Sequence, residues 1–124
     1  MQFEEAPSTL QILNAIHDTK SLNLFNALNL GDSKAIDMMV KLSISRKEFY
    51  SRISKLLGVG MIKLADGKYS ITAFGSVIYE IQLTLSAAVE NYSKLEQLDL
   101  NNLSSREIKL KSEEQVIIAN SVSK

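Results

Sequence analysis

The chain contains no cysteine and a single histidine among its 124 residues. Without cysteine there is no disulfide, no thiolate metal site and no cysteine nucleophile. A Ser-His-Asp triad would depend on His17 alone, and the sequence has neither a Gly-x-Ser-x-Gly motif nor a glycine-rich phosphate loop. A zinc site needs three or four ligands, and the sulfur ligands are missing. We therefore predict no enzyme, no catalytic residue, no metal site and no cofactor.

Long hydrophobic runs are also absent. No apolar stretch approaches the ~20 residues that a membrane-spanning helix requires, and the acidic N-terminus lacks the apolar core of a signal peptide. Hydrophobic residues make up 45% of the chain and charged residues 23%, which is typical of a globular protein of one domain. We expect a soluble, cytoplasmic protein that makes no contact with membranes.

The net charge is zero, but the charges are unevenly distributed. Residues 33–68 contain eight Lys or Arg and three Asp or Glu, which gives this segment a net charge of +5. The rest of the chain contains six Lys or Arg and eleven Asp or Glu, a net charge of −5. A basic segment in a neutral protein indicates a surface that binds a polyanion. The competing interpretation is a chance cluster of solvated lysines.

Capping signals mark short helices in the first half of the chain. Ser8 and Ser45 are each followed three residues later by Gln or Glu, the spacing of a capping box. Asp18 or Thr19 should cap a second helix that runs to about residue 30. Three helices and a short turn therefore precede a fourth helix that begins at Ser45.

The third helix has the least distinct pattern. We expect it to begin at Asp32 or Ser33, with Ile36, Met39 and Val40 on its inward side.

After the fourth helix the pattern changes from helical to alternating, with an Asp-Gly pair between two short β-prone runs. Because both positions of a two-residue hairpin turn favour positive φ, this pair predicts a hairpin over residues 61–72.

From Thr72 onward the apolar residues recur at alternating intervals of four and three. This heptad pattern predicts a single helix over residues 73–98, roughly 36 Å long, whose free face binds a second copy of the chain. The alternative is a helix packed along its own domain. The expected dimerisation residues are Ile78, Ile81, Leu85, Ala88, Tyr92 and Leu95. Residues 99–124 have no pattern that fixes their structure.

The order of elements predicts a mainly α fold with a small β-hairpin, a winged helix-turn-helix domain over residues 8–75. Its recognition helix, at about residues 45–57, has Phe49, Ile53 and Leu56 on the inward side and a polar, cationic opposite side that would contact double-stranded DNA. The hairpin would contact the DNA backbone. The expected DNA-binding residues are Lys34, Arg46, Lys47, Tyr50, Ser51, Arg52, Ser54, Lys55, Lys63 and Lys68.

Three segments resemble ArsR-type winged-helix regulators. Residues 12–28 (ILNAIHDTKSLNLFNAL) resemble the opening of that family, where two helices meet at an Asp-Pro-Thr-Arg-like corner; Thr19 stands at the usual Pro and Ser21 at the usual Arg. Residues 49–62 (FYSRISKLLGVGMI) resemble its recognition helix, and residues 68–75 (KYSITAFG) are similar to its second wing strand and the start of its last helix. MarR-like and other small archaeal winged-helix regulators share these motifs.

The resemblance covers about residues 8–98. It implies a homodimer held by the first and last helices, which binds a palindromic operator and usually represses transcription. By position, Lys63 and Lys68 match the wing contacts. The residues that match those contacting bases and phosphates are Arg46, Lys47, Tyr50, Ser51 and Arg52. Metal-sensing members place cysteines in the helix before the turn; residues 32–39 have none, which excludes a thiolate sensor.

Other hypotheses stay open at this point. Fold does not fix function, so the main alternative is a winged-helix adaptor that binds proteins and not DNA. A third is a ligand-responsive regulator in which Tyr92 and Met38 or Met39 line a pocket, although no polar group converges there to fix an effector. His17 with Asp18 could form a weak metal site at an interface, but a lone histidine at a helix corner is more often structural.

Overall fold

The computed structural model describes residues 5–101. That part of the chain is mainly helical, with six helices and one antiparallel two-stranded hairpin. This confirms the predicted mainly α class with a small hairpin and is compatible with a winged helix. In chain order the elements are α1 Thr9–Ala15, α2 Thr19–Asn29, α3 Ala35–Leu42, α4 Arg46–Gly58, β1 Ile62–Ala65, β2 Lys68–Ile71, α5 Ala73–Glu90 and α6 Tyr92–Leu100.

The chain forms two compact units, one ending at Tyr79 and the other beginning at Glu80. The first unit has a continuous core from α1 to the start of α5. Its centre is fully buried and comes from α2, α4 and the residue before β1: Leu24, Phe25, Leu28, Phe49, Ile53, Leu56 and Met61. Since α4 supplies three of these side chains at helical spacing, the predicted inward face of the fourth helix is confirmed.

The predicted caps are present. The Ser8 hydroxyl accepts a hydrogen bond from the Gln11 amide at 3.1 Å, and the Gln11 side chain accepts one from the Ser8 amide at 2.7 Å. Ser45 and Glu48 form the same reciprocal pair at the start of α4. Asp18 caps α2 through the amide three residues later. Each cap satisfies backbone donors that the first helical turn leaves without partners.

The third helix begins later than predicted. Its first residue is Ala35, and the residue before it, Lys34, makes no side-chain capping bond. Ser33 lies one residue before this N-cap, and its backbone is paired with the hairpin: its amide donates to the Tyr69 carbonyl at 3.0 Å and its carbonyl accepts from the Tyr69 amide at 2.8 Å. Ser33 therefore extends the hairpin by one short antiparallel bridge.

The inward face of α3 also differs from the prediction. Ile36 is 61% exposed and Val40 72% exposed, whereas Met38 is fully buried. Six of the eight residues of α3 are apolar, so periodicity alone does not distinguish its faces. Packing selects the face that carries Met38 and, partly buried, Met39.

The hairpin has the predicted two-residue turn. Ala65 pairs with Lys68, and the turn residues Asp66 and Gly67 have φ angles of 53° and 74°, as a type I′ turn requires. Thr72 then starts α5 as predicted: its hydroxyl oxygen accepts from the Gly75 amide at 2.9 Å and its hydroxyl donates to a carbonyl at 2.6 Å.

The predicted single helix over residues 73–98 is wrong in its continuity, because α5 ends at Glu90 and α6 begins at Tyr92. Between them, the Asn91 side-chain amide donates to the Ala87 carbonyl at 2.7 Å, and the Asn91 backbone amide is shared between Ala87 and Ala88. A side chain that bonds to its own helix backbone disturbs the helical ladder. Residues 102–124 of the predicted tail lie outside the described residues.

The predicted dimerisation residues do not share one environment. Ile78 is half-buried and packs against the core of the first unit. Ile81 and Leu85 are 59% and 64% exposed, and Tyr92 is also exposed, whereas Ala88 and Leu95 are half-buried. The exposed apolar stripe of α5 consists of Phe74, Val77, Ile81, Leu85 and Val89. Among residues 5–101, no helix combines the length and apolar character needed to cross a membrane.

Candidate nucleic-acid interface

Helix α4 separates its apolar and polar residues on opposite sides. The side away from the core is exposed, and it carries Arg46, Lys47, Tyr50, Ser51, Ser54 and Lys55. This is the set of residues that the sequence predicted for the outward face, with Arg52 as the exception. The buried side fixes the helix in the unit, so the exposed side is presented on a rigid support.

The first turn of α4 carries two cations, Arg46 and Lys47. Positive side chains at a helix N-terminus oppose the helix dipole, at a cost of about 0.3–1 kcal/mol each. Within the described residues neither side chain forms an ion pair. The turn therefore holds uncompensated positive charge next to free backbone amides, which is an arrangement that attracts anions.

Tyr50 lies one turn after Arg46 and is 40% exposed. The guanidinium carbon of Arg46 lies 5.6 Å from the centre of the Tyr50 ring, within the range of a cation–π contact. The Tyr50 ring in turn packs edge-on against the buried Phe49 ring, with centroids 5.0 Å apart. Arg46 and Tyr50 thus form an exposed pair that is backed by the core.

The serines of this face differ in their hydrogen bonding. The Ser54 hydroxyl donates to the Tyr50 carbonyl at 2.8 Å, so its proton is already used within the helix. Ser51 and Lys55 are exposed.

Arg52, one of the predicted DNA-binding residues, forms an ion pair within the first unit. Its Nε and Nη2 donate to the two carboxylate oxygens of Asp18 at 3.3 and 3.4 Å, and its Nη1 lies 3.4 Å from the Glu48 carbonyl. Backbone and side-chain hydrogen bonds from Ser21 and the bonds from Arg52 lower the pKa of Asp18 to about 2. Arg52 therefore joins α4 to the start of α2.

A second ion pair joins the same two helices. Lys20 donates to the Glu48 carboxylate. This bond and the Ser45 amide lower the pKa of Glu48 to about 2. We call the two pairs, Asp18–Arg52 and Lys20–Glu48, the α2–α4 clamp. Because the clamp occupies Glu48, which is the one acidic residue of α4, the charge left for a partner on the outward face is positive.

The hairpin contributes two more cations. Lys63 pairs with Ser70, and Lys68 pairs with Ala65. Since alternate residues of a strand share a face, Lys63 and Lys68 lie on the same face of the hairpin. Both side chains are exposed. Lys34 is exposed as well, at the first position before α3.

His17 and the methionines have ordinary structural roles. The His17 Nδ1 donates to the Asn14 carbonyl at 2.8 Å, and its Nε2 lies 3.7 Å from Asp18, whose carboxylate Arg52 already occupies. In the part of the chain that the structure describes, no three His, Cys, Asp or Glu residues cluster as a metal site. Met38 is buried in the core and Met39 packs against it.

Sequence reasoning missed two features of this region. The Ser33–Tyr69 bridge and the Asp18–Arg52 pair each join residues more than 30 positions apart, and neither leaves a local spacing signal. The unusual position of Asp18 as both a helix cap and an ion-pair partner explains why an acid stands at that corner. No protein-family model matches the chain, and a search of curated proteins finds no match.

Proposed function

We propose that the protein is a DNA-binding transcriptional regulator of the winged helix-turn-helix type, related to the ArsR- and MarR-like regulators. In this proposal α3 and α4 form the helix-turn-helix, and β1 and β2 form the wing. The observation that carries it is the outward face of α4, where unpaired cations lie opposite a buried apolar face. The Ser33–Tyr69 bridge supports it, because it fixes the hairpin beside α3.

In the proposed complex the N-terminal half of α4 enters the major groove, where a helix fits and base edges are distinct. Lys63 and Lys68 neutralise phosphates beside the groove, and Lys34 does so from the start of α3. Arg52 makes no DNA contact, since the α2–α4 clamp holds it. The sequence-dependent contacts then come from the exposed residues at the start of α4.

The regulator acts as a homodimer in this proposal. Exposed apolar side chains on α5, among them Ile81 and Leu85, and on α1, namely Leu10 and Leu13, have no partner within the described residues. The family resemblance implies that the first and last helices form the dimer interface. A twofold dimer would place two recognition helices about 34 Å apart, which is one turn of DNA.

The second candidate function is a winged-helix adaptor that binds another protein. The exposed Ile36 and Val40 favour it, because they lie one turn apart on the outward side of α3. Apolar side chains of this size are common at the centres of protein interfaces. We rank the adaptor second because it gives no reason for the unpaired cations of α4.

Selection of purified protein against random duplex DNA at near-physiological salt tests the proposal. We expect one inverted repeat with half-sites about 10 base pairs apart. Retention without a shared motif, lost as salt rises, would indicate non-specific binding. No retention at any salt concentration would overturn the proposal and favour the adaptor. As a matched control, Lys94→Ala, which removes a cation from α6, should select the same repeat.

A further inference from the structure

The Tyr50 ring is held in place by the core of the first unit. Phe49, fully buried, packs edge-on against Tyr50 on one side and against Tyr69 of β2, at 5.7 Å, on the other. Two aromatic contacts in series restrict the rotation of the exposed ring. Tyr50 is therefore a fixed platform on the outward face of α4.

The Arg46 guanidinium lies over this platform, and its donors have no hydrogen-bond partner within residues 5–101. Within residues 5–101 no carboxylate pairs with Arg46, and Glu48, two residues away, is occupied by Lys20 and by the Ser45 amide. A guanidinium carries five N–H donors in its plane. The 5.6 Å contact with the Tyr50 ring is not a hydrogen bond, so it leaves these donors available for acceptors.

We infer that Arg46 recognises a guanine in the major groove and that Tyr50 is the positioning residue that orients its guanidinium for this contact. The inference rests on the proposed DNA binding. Guanine presents two acceptors, O6 and N7, on its major-groove edge, and a bidentate arginine is the commonest specific contact to it. Arg46 stands in the first turn of α4, the part of a recognition helix that contacts base edges.

The contrast with Lys47 separates a guanine contact from a phosphate contact. Lys47 has no ring beneath it and forms no ion pair in the described part of the chain. A phosphate accepts an ammonium from many directions, whereas the two acceptors of guanine require a planar donor in one orientation. An arginine held over an aromatic ring loses less side-chain freedom when it binds. The fixed pair therefore suits base recognition, and Lys47 suits phosphate.

The test uses the inverted repeat that the wild-type protein selects. Each guanine is replaced in turn by 7-deazaguanine, which removes the N7 acceptor and keeps base pairing. We expect the wild-type affinity to fall about 5- to 150-fold at one guanine in each half-site. Arg46→Ala removes the contact from both half-sites, so it should bind the unmodified repeat more weakly than the wild type binds any singly substituted repeat. It should show no further loss with 7-deazaguanine at that position.

Variants of Tyr50 separate positioning from a general structural role. Tyr50→Phe keeps the ring and should retain the 7-deazaguanine sensitivity of the wild type, whereas Tyr50→Leu should lose most of it. Lys47→Ala should lower the affinity for every sequence and keep the sensitivity unchanged. Thermal unfolding of each variant checks the fold, and Arg46→Ala provides the result if Tyr50→Leu is destabilised.

The outcomes distinguish this inference from the proposed function. If the wild type selects a repeat but no guanine is sensitive, or if Arg46→Ala keeps the sensitivity, Arg46 does not recognise guanine and the inference is wrong. If Tyr50→Phe loses the 7-deazaguanine sensitivity as Tyr50→Leu does, the ring does not position Arg46, and that part of the inference is wrong. If the wild type binds no DNA, the proposed function itself fails.

Discussion

Single residues determine how closely the helices and the hairpin of the first unit approach each other. Gly75, in the first turn of α5, is buried against the segment that leads into β1. A methyl group there would overlap the Met61 carbonyl oxygen and lie 2.8 Å from Cγ1 of Ile71. The reason for glycine at this position is lack of space for a side chain.

Gly75→Ala should therefore destabilise the protein by about 1–3 kcal/mol, the usual cost of overpacking. The free energy of unfolding in urea measures it. Gly58→Ala is the matched control, because nothing lies within 4 Å of a methyl group at the end of α4 and alanine favours a helix. Equal stability of both variants would show that the first turn of α5 can move away from Met61.

At the same scale, Lys47 contributes charge without a fixed contact. Lys47→Ala should weaken binding to specific and random DNA alike, and the plot of log affinity against log salt should become shallower by about 0.9 for each phosphate that the variant no longer neutralises. Fluorescence anisotropy over a range of salt concentrations measures the slope. The control variant Lys94→Ala should leave the slope unchanged. If Lys47→Ala instead changed only which sequence the protein prefers, Lys47 would contact a base and not a phosphate.

At the scale of elements, the α2–α4 clamp ties α4 to the start of α2. The two carboxylates of the clamp have pKa values of about 2, lowered from 3.8 for Asp18 and from 4.5 for Glu48. A carboxylate with a lowered folded-state pKa stabilises the fold above its unfolded pKa, and this contribution is lost as the pH falls toward the folded value.

The free energy of unfolding should thus be nearly constant from pH 7 to about pH 5 and fall between about pH 5 and pH 2. Urea unfolding at a series of pH values measures it. In the double variant Asp18→Asn, Glu48→Gln the fall should be smaller, and the stability at pH 7 lower. A wild type whose stability is unchanged down to pH 2 would contradict the role of the clamp, as would a double variant with the wild-type profile.

At the scale of the whole molecule, we propose that the exposed stripe of α5 forms the interface with a second copy of the chain. Ile81→Glu places a charge in the middle of this stripe. Because a buried Ile contributes about 1.5–3 kcal/mol and each copy loses one, the dimer dissociation constant should rise about 100-fold or more. Analytical ultracentrifugation over a range of concentrations measures it.

Ser86→Glu is the control for that measurement, since it adds the same charge to α5 at an exposed position about 140° around the helix from Ile81. It should leave the dissociation constant near the wild-type value. A wild-type protein that remains monomeric at every concentration would contradict dimerisation through this stripe. So would an Ile81→Glu variant that dimerises as tightly as the wild type.

The sequence by itself determined the caps of α1, α2 and α4, the turn of the hairpin and the buried face of α4. Each of these depends on residues no more than a few positions apart: a side chain that bonds to an amide three residues later, or a turn that requires positive φ at Asp66 and Gly67. The charge-bearing outward face of α4 followed from the same periodicity. The break between α5 and α6 at Asn91 also has a local cause. The spacing of apolar residues did not predict it, because that spacing carries no information about a side chain that bonds to the backbone of its own helix.

Only the tertiary structure decided where α3 begins, which of its faces is buried and which cations of α4 are free. Tyr69 holds Ser33 in an extended conformation, and Asp18 holds Arg52. Partners so far apart in the chain meet only once the core has formed, so no spacing in the sequence records them. In α3, apolar residues on nearly every side left the choice of face to packing, and packing selected Met38 over Ile36 and Val40.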